Sequence, residues 1–195
     1  MSNNKFINNK AINGGALYFK EKQTNNDNEK IINFKNNVFE NNEAEEFGGA
    51  MYIDLNNNYI MNNDNNIICS NKAGIQGGGI YFVHLGKELF KPNKDKIEGN
   101  LAFSNENNYV TKPSLISLIT PLDKQPINII TGDLFPLSFI LKDEFNNTIE
   151  DITEYYSYLG IKVIIEEKTD ILDTTNVNPI ANFCSFINGI LYIYS

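Results

Sequence analysis

The sequence predicts an all-β protein: a parallel β-helix of about three coils over residues 1–112, then a small β-sandwich over 113–195. Three observations lead there. A two-part motif recurs in fixed order along the first region, asparagine is concentrated in that same region, and the second region carries short strand patterns without a repeat.

The repeat is the primary signal. Gly14-Gly15-Ala16-Leu17-Tyr18-Phe19 returns as Gly48-Gly49-Ala50-Met51-Tyr52-Ile53 and as Gly77-Gly78-Gly79-Ile80-Tyr81-Phe82, with starts 34 and 29 residues apart. Each copy follows a second element: Phe6-Ile7-Asn8-Asn9-Lys10-Ala11, then Phe39-Glu40-Asn41-Asn42-Glu43-Ala44, then Cys69-Ser70-Asn71-Lys72-Ala73. Phe103-Ser104-Asn105 is a fourth, weaker copy, and in all four an apolar residue precedes asparagine by two positions. A third apolar segment completes each period: Ile31 to Phe34, Tyr59 to Met61 and Lys96 to Glu98. Three strand-length segments per period of about 30 residues is the arithmetic of a parallel β-helix.

Stacked parallel coils place equivalent side chains about 4.8 Å apart. Phe6, Phe39, Cys69 and Phe103 are therefore expected in one interior ladder, and Leu17, Met51 and Ile80 in another. Asparagine tolerates left-handed backbone and bonds locally, so Asn8, Asn41, Asn71 and Asn105 are expected to stack as a hydrogen-bonded ladder at a corner. The pairs Gly14-Gly15, Gly48-Gly49 and Gly77-Gly78 would supply positive φ and close backbone approach at another corner. A disordered, Asn-rich tract would carry the asparagine runs, but not aromatic and Gly-Gly positions recurring in phase.

The alternation of Gly-Gly-Ala-aliphatic with Phe-x-x-Asn resembles the polymorphic outer membrane protein repeat of bacterial adhesins and large protist surface proteins. Phe6…Asn9, Phe34…Asn37 and Phe39…Asn42 carry the match over roughly residues 1–110. The third copy departs with Cys69 and Lys72, and the fourth lacks Gly-Gly-Ala. The resemblance implies a right-handed, pectin-lyase-like β-helix. It also implies a place at the cell surface or outside the cell, within a longer protein.

Composition changes near Thr111-Lys112-Pro113. Residues 1–112 hold 26 Asn and a net charge of −1, whereas 113–195 hold 7 Asn and a net charge of −7. In the second region Leu137, Phe139 and Leu141 alternate along one strand, Asp143 to Asn147 supply a turn, and Ile149 begins a return strand. Later apolar runs are Ile161 to Ile165 and Phe183 to Tyr194, the latter with Asn188-Gly189 as a hairpin signal. The strand, Asp-x-x-Asn-Asn, strand unit resembles the immunoglobulin-like modules that follow β-helices in surface proteins. An apolar strand running to Ser195 is expected of a truncated module.

No catalytic constellation emerges. All sixteen basic residues are lysine and the net charge is −8, so no basic patch for nucleic acid is present. Asp54 and Asp64 have no partner carboxylate in phase, as glycoside chemistry would need, and His84 has no relay in sequence. Cys69 reads as a core thiol, and Cys69 and Cys184 form neither a CxxC nor a metal-ligand spacing. Glu43, Glu45 and Glu46 lack calcium-loop spacing. No metal or cofactor is called for. Asn146-Asn147-Thr148 is a candidate glycosylation sequon at Asn146. Met1 to Lys5 offer no signal peptide and no apolar run spans a bilayer.

The expectation is a non-catalytic surface structural or adhesive module, part of a larger membrane-anchored or surface protein, with an unidentified protein or glycan partner. It is not expected to be an enzyme. A polysaccharide lyase or hydrolase on the same fold is one alternative. A glycan-binding module using tyrosines such as Tyr59 and Tyr109 is another. Because Phe6 follows so soon after Met1, the first coil is expected to be uncapped and to favour self-association.

Overall fold

The computed structural model describes residues 1–21, 29–55, 58–85, 90–91, 94–103, 105–121, 136–163 and 182–194. They form two compact units: Met1–Leu115 with Lys142–Asn147, and Ile116–Leu141 with Thr148–Ser195. The division falls three residues beyond Lys112, and the turn at 142–147 belongs with the coils. Among the described residues no helix is long and apolar enough to cross a membrane.

The first unit is a parallel β-solenoid of about three turns. The first coil contains β1 (Lys5–Ile7), β2 (Lys10–Ala11) and β3 (Leu17–Lys20). The second contains β4 (Lys30–Lys35), β5 (Val38–Glu40), β6 (Glu43–Ala44) and β7 (Met51–Asp54). The third contains β8 (Tyr59–Asp64), β9 (Ile67–Cys69), β10 (Lys72–Ala73) and β11 (Ile80–Phe82). A closing turn follows with β12 (Lys96–Glu98), β13 (Leu101–Ala102), β14 (Asn105–Glu106) and β15 (Tyr109–Thr111). Strands stack as β1-β5-β9-β12, β2-β6-β10-β13, β3-β7-β11-β15 and β4-β8. A coil has four segments where the spacing predicts three, because an asparagine corner bends the Phe-Glu-Asn-Asn-Glu-Ala run into two strands. Lys96–Glu98 accordingly stacks on Ile67–Cys69, not on Tyr59–Met61.

Register keeps Leu17, Met51 and Ile80 in one row and Phe6 on Phe39, and corrects the other expected ladder positions. Phe6, Phe39, Ile68 and Ile97 are partners, and the rings of Phe6 and Phe39 lie parallel at 4.9 Å. Cys69 pairs instead with Glu40 and Glu98 in the alternate row. Phe103 sits in the turn after β13, with φ 54° and 61% exposure. The motif is therefore apolar-x-x-Asn throughout, and a one-residue slip moves every side chain of a strand to its other face. Asn8 and Asn41 are not in the buried ladder. They hold left-handed backbone (φ 58° and 54°), as do Ser70 and Gly99 (56° and 62°) in the equivalent places. Asn105 pairs with Ala102 across β14 and β13. Asn71 stands in the ladder as expected, and its other members are Asn9, Asn42 and Asn100.

That ladder runs one way. The backbone N–H and Nδ2 of Asn9 both donate to Asn42 Oδ1 (3.0 and 2.8 Å), and Asn42 donates likewise to Asn71 Oδ1 (2.9 and 2.9 Å). Asn71 donates in turn to Asn100 Oδ1 (3.0 and 2.8 Å). The Nδ2 groups of Asn42, Asn71 and Asn100 also reach the carbonyls of Phe6, Phe39 and Ile68. A second ladder, Asn4, Asn37, Asn66 and Asp95, repeats the pattern at the corner between β4 and β5 and its counterparts. Buried backbone groups at a corner must find partners, and these carboxamides provide them.

The glycine corner has a different cause. Gly14, Gly48 and Gly77 have φ of 63°, 69° and 70°. A Cβ on Gly15, Gly49 or Gly78 would lie 2.2, 2.1 or 2.5 Å from backbone of the next coil, so no larger residue fits without parting the coils. Inside, Leu17, Met51, Ile80 and Tyr109 form one row, and Phe19, Ile53, Phe82 and Thr111 another.

At the far end β13 is covered by β14, while β12 is the last strand of its row. β14 turns back antiparallel on β13, and Asn108 Oδ1 accepts the N–H and Nδ2 of Asn100 (3.2 and 2.9 Å). In the second unit β16 (Leu115–Leu118), β17 (Pro136–Lys142) and β20 (Ile190–Tyr194) form one sheet, and β18 (Gly160–Val163) and β19 (Asn182–Ser185) another. Ile149 continues no strand; its N–H bonds Leu141 O. Asn188 and Gly189 form the predicted turn (φ 52° and 73°), but β19 and β20 then pair with different strands. Residues 132–135, 164 and 165 lie outside the described residues.

Asn71 is the test of the ladder. Asn71→Ala removes the acceptor of the buried Asn42 N–H and the side-chain donors to Phe39 O and Asn100 Oδ1, which keeps only the backbone N–H of residue 71, at about 1–3 kcal/mol for each group left unpaired. A loss of about 3 kcal/mol or more in urea denaturation is expected. Asn71→Asp, which keeps the acceptors and loses the donors, should cost at least as much. Asn62→Ala on the exposed face should stay within about 0.5 kcal/mol.

Candidate functional site

The solenoid offers outward rows on which several of the candidate residues fall. On the sheet of β3, β7 and β11, Tyr18, Tyr52 and Tyr81 stack with centroids 4.9 and 5.6 Å apart at 4° and 19°. Rings stacked at the coil spacing turn their faces to one another and their edges outward. A sugar ring needs an aromatic face, which Tyr18 (52% exposed) retains toward the start of the solenoid. The tyrosines expected to serve this role are placed otherwise. Tyr109 packs against the core, edge-on to Phe145 at 5.0 Å. Tyr59 lies under Lys30, whose Nζ is 3.2 Å from the hydroxyl, and this bond raises the lysine pKa together with that from Glu21.

Charged residues pair along rows, coil to coil. Lys10 meets Glu43 at 2.8 Å, Lys20 meets Asp54 at 3.7 Å and Lys35 meets Asp64 at 3.8 Å. The Lys10 ammonium holds the Glu43 carboxyl below its usual range, with Lys72 adding to it. Asp54 and Asp64 are thus each matched to a lysine. Glu46 accepts from Asn13 Nδ2 at 3.1 Å. Exposed pairs of this kind set register more than they add stability.

Cys69 is half-buried, and burial raises its pKa, with Glu40 and Glu98 beside it adding to the effect. A thiol held protonated is a poor nucleophile. His84 is exposed, with Nε2 3.4 Å from Lys112 Nζ, a cation and not a relay carboxylate. Asn146 is exposed at φ 67°, its Oδ1 accepting from Lys142 at 3.0 Å. Among the described residues no group of three or more His, Cys, Asp or Glu is placed to hold a metal. In the second unit Cys184, Ile187, Ile190 and Tyr192 line a shallow, mainly apolar depression.

A buried charge in the first unit is Asp143, which the sequence marked only as a turn residue. It is buried, with Oδ1 accepting the Asn147 N–H at 2.7 Å and Oδ2 accepting the Thr111 N–H at 3.3 Å. The Glu144 N–H returns a bond to Thr111 Oγ1 at 2.8 Å, and the Phe145 ring lies over Phe82 and Tyr109. The turn therefore covers the last rung of the interior rows. Burial raises the Asp143 pKa, opposed by the N–H bonds it accepts.

The fold and these rows define a β-solenoid repeat protein. No protein-family model, curated protein or solved structure matches the chain.

Asp143→Ala should lower stability by about 1–3 kcal/mol, since it leaves the Asn147 and Thr111 N–H groups unpaired. Asp143→Asn keeps an acceptor without the buried charge and should cost less. Because the folded pKa is raised, the folded state holds the extra proton between the ordinary carboxylate value and that raised value. Wild-type stability should therefore fall relative to Asp143→Asn as pH rises through this window. Urea denaturation of both across about pH 3.5 to 7 checks the sign.

Proposed function

We propose that this chain is a non-catalytic structural or adhesive module of a cell-surface protein, with the solenoid as a stiff element whose outer rows meet a partner. The observation that carries the proposal is the one-way asparagine ladder. It passes through every coil and locks each to the next by paired hydrogen bonds, as a load-transmitting element requires. The resemblance to polymorphic outer membrane protein repeats supports it, with Phe6…Asn9 and Phe39…Asn42 in phase on the first ladder and Phe34…Asn37 on the second. An immunoglobulin-like character for the second unit is part of the same proposal. Lys10, Lys20 and Lys35 are matched to Glu43, Asp54 and Asp64, which favours recognition by shape and charge pattern over bond-breaking chemistry.

A membrane-impermeant amine-reactive biotin reagent, applied to intact producing cells, should label the protein through exposed lysines such as Lys5 and Lys10. Labelling only after lysis would contradict surface placement. Calcium-dependent release of unsaturated sugars from polygalacturonate, well above a heat-killed control, would contradict the non-catalytic assignment.

A further inference from the structure

The fold sets two identical dipeptides in opposite circumstances. Asn13-Gly14 and Asn188-Gly189 are the two Asn-Gly pairs of the sequence, and each follows an isoleucine. Asparagine before glycine is chemically vulnerable, because the next backbone nitrogen can attack the side-chain carbonyl carbon and glycine has no side chain to hinder it. The attack needs a backbone N–H that is not held in a hydrogen bond and a carboxamide free to turn toward it.

Asn13-Gly14 has neither freedom. The Gly14 N–H donates to Phe47 O at 2.9 Å. The Asn13 carboxamide is tied at both ends, with Oδ1 accepting the Phe47 N–H at 3.1 Å and Nδ2 donating to Glu46 Oε2 at 3.1 Å. All three bonds run from the first coil to the second, so the coils must part before Asn13 can react.

Asn188-Gly189 has both freedoms. Ile187 and Ile190 exchange backbone bonds of 2.9 and 3.0 Å, which leaves the dipeptide as a two-residue loop. Asn188 is exposed, and neither its carboxamide nor the Gly189 N–H has a partner among the described residues. The hairpin itself requires the pair. Both residues hold left-handed backbone, at φ 52° and 73°, and a Cβ on Gly189 would run into the Ile149 carbonyl. The turn that demands glycine at 189 thus sets an unhindered nitrogen behind an unheld asparagine.

We propose that Asn188 is a site of spontaneous modification, by deamidation through a cyclic imide. The Gly189 nitrogen gives up its proton and bonds to Cγ of Asn188, the Cγ–Nδ2 bond breaks, and the side-chain nitrogen leaves as ammonia with that proton. The imide then takes up one water. Opening at one carbonyl gives an aspartate at position 188, and opening at the other gives an isoaspartate, whose main chain runs through the side-chain carbon. The balance is carboxamide and water in, carboxylate and ammonia out.

The two products act differently on the second unit. Aspartate tolerates the left-handed conformation and keeps the turn. Isoaspartate lengthens the main chain by one carbon inside a two-residue loop, so Ile187 and Ile190 lose their pairing. Gly189 O is then drawn from the Leu141 N–H, which it accepts at 3.0 Å. The join between β17 and β20 therefore loosens as the molecule ages. None of this rests on the surface assignment.

The test is to hold the full chain in mildly alkaline buffer, folded and in urea, and to sample it over weeks. Each sample is digested in acid and mapped by mass spectrometry with fragmentation that separates aspartate from isoaspartate. In urea the two sites should react at like rates. In the folded chain Asn188 should convert, with isoaspartate among the products, while Asn13 lags by about tenfold or more because it waits on local opening. In the aged protein the Leu141 and Ile190 amides should exchange hydrogen faster than in the fresh chain, whereas Asn188→Asp should match the fresh chain. Three results would overturn the proposal: equal rates at the two sites in the folded chain, a faster Asn13, or an intact Asn188 after the urea sample has reacted. Unchanged exchange at Leu141 and Ile190 in protein carrying isoaspartate would overturn the loosening.

Discussion

The interaction on which this fold depends is the doubled hydrogen bond from one coil's asparagine to the next coil's carboxamide oxygen. A solenoid coil cannot bury its own interior, so its stability comes from neighbours. Parallel strands of two or three residues give few ladder bonds each, and the corners between them would leave backbone groups stranded. The Nδ2 of Asn42, Asn71 and Asn100 answers both needs, since each bonds a carbonyl of the preceding coil, and the first two bond the next coil while Asn100 bonds Asn108 of the closing turn. Such a network is worth most when complete, because a half-satisfied buried carboxamide costs more than an apolar side chain.

Other features follow from holding the coils at this spacing. Phe6 can stack on Phe39, and Tyr18 on Tyr52, because the backbone repeat and the preferred ring separation nearly coincide. The second glycine of each pair is required because adjacent coils approach more closely than a Cβ allows. The direction of the ladder then fixes what can end it: an acceptor at the far end, supplied by Asn108 and Asp95, with the Asp143 turn covering the rows beside them.

Much of this was legible in the sequence, and the rest failed for identifiable reasons. Gly-Gly is readable at every copy because nothing else fits there. The first two copies of the other element are readable because Phe, Asn and Asn occur together. In the third copy Ile68 and Cys69 are both apolar and Ser70 takes the left-handed place of an asparagine, so the lone Asn71 fits spacings of two or three. Spacing three, already set by Phe6…Asn9 and Phe39…Asn42, carries through to Ile68…Asn71 and Ile97…Asn100. It would have removed both Cys69 and Phe103 from the ladder. The closing hairpin had no repeat to announce it, and Asp143 looked like any turn aspartate until Thr111 was seen beside it. Tyr59 and Tyr109 were visible as residues, but their partners were not.

The central claim is most directly tested by side-chain carboxamide hydrogen exchange, read by NMR on protein labelled with 15N at asparagine. Nδ2 groups in the buried ladders (Asn37, Asn42, Asn66, Asn71 and Asn100) should exchange slowly, near the rate of global opening. Those of the exposed Asn33 and Asn36 should exchange at rates close to free peptide, and those of Asn62 and Asn65, bonded only on solvent-facing rows, much faster than the buried set. Uniformly fast exchange across both groups would contradict the account.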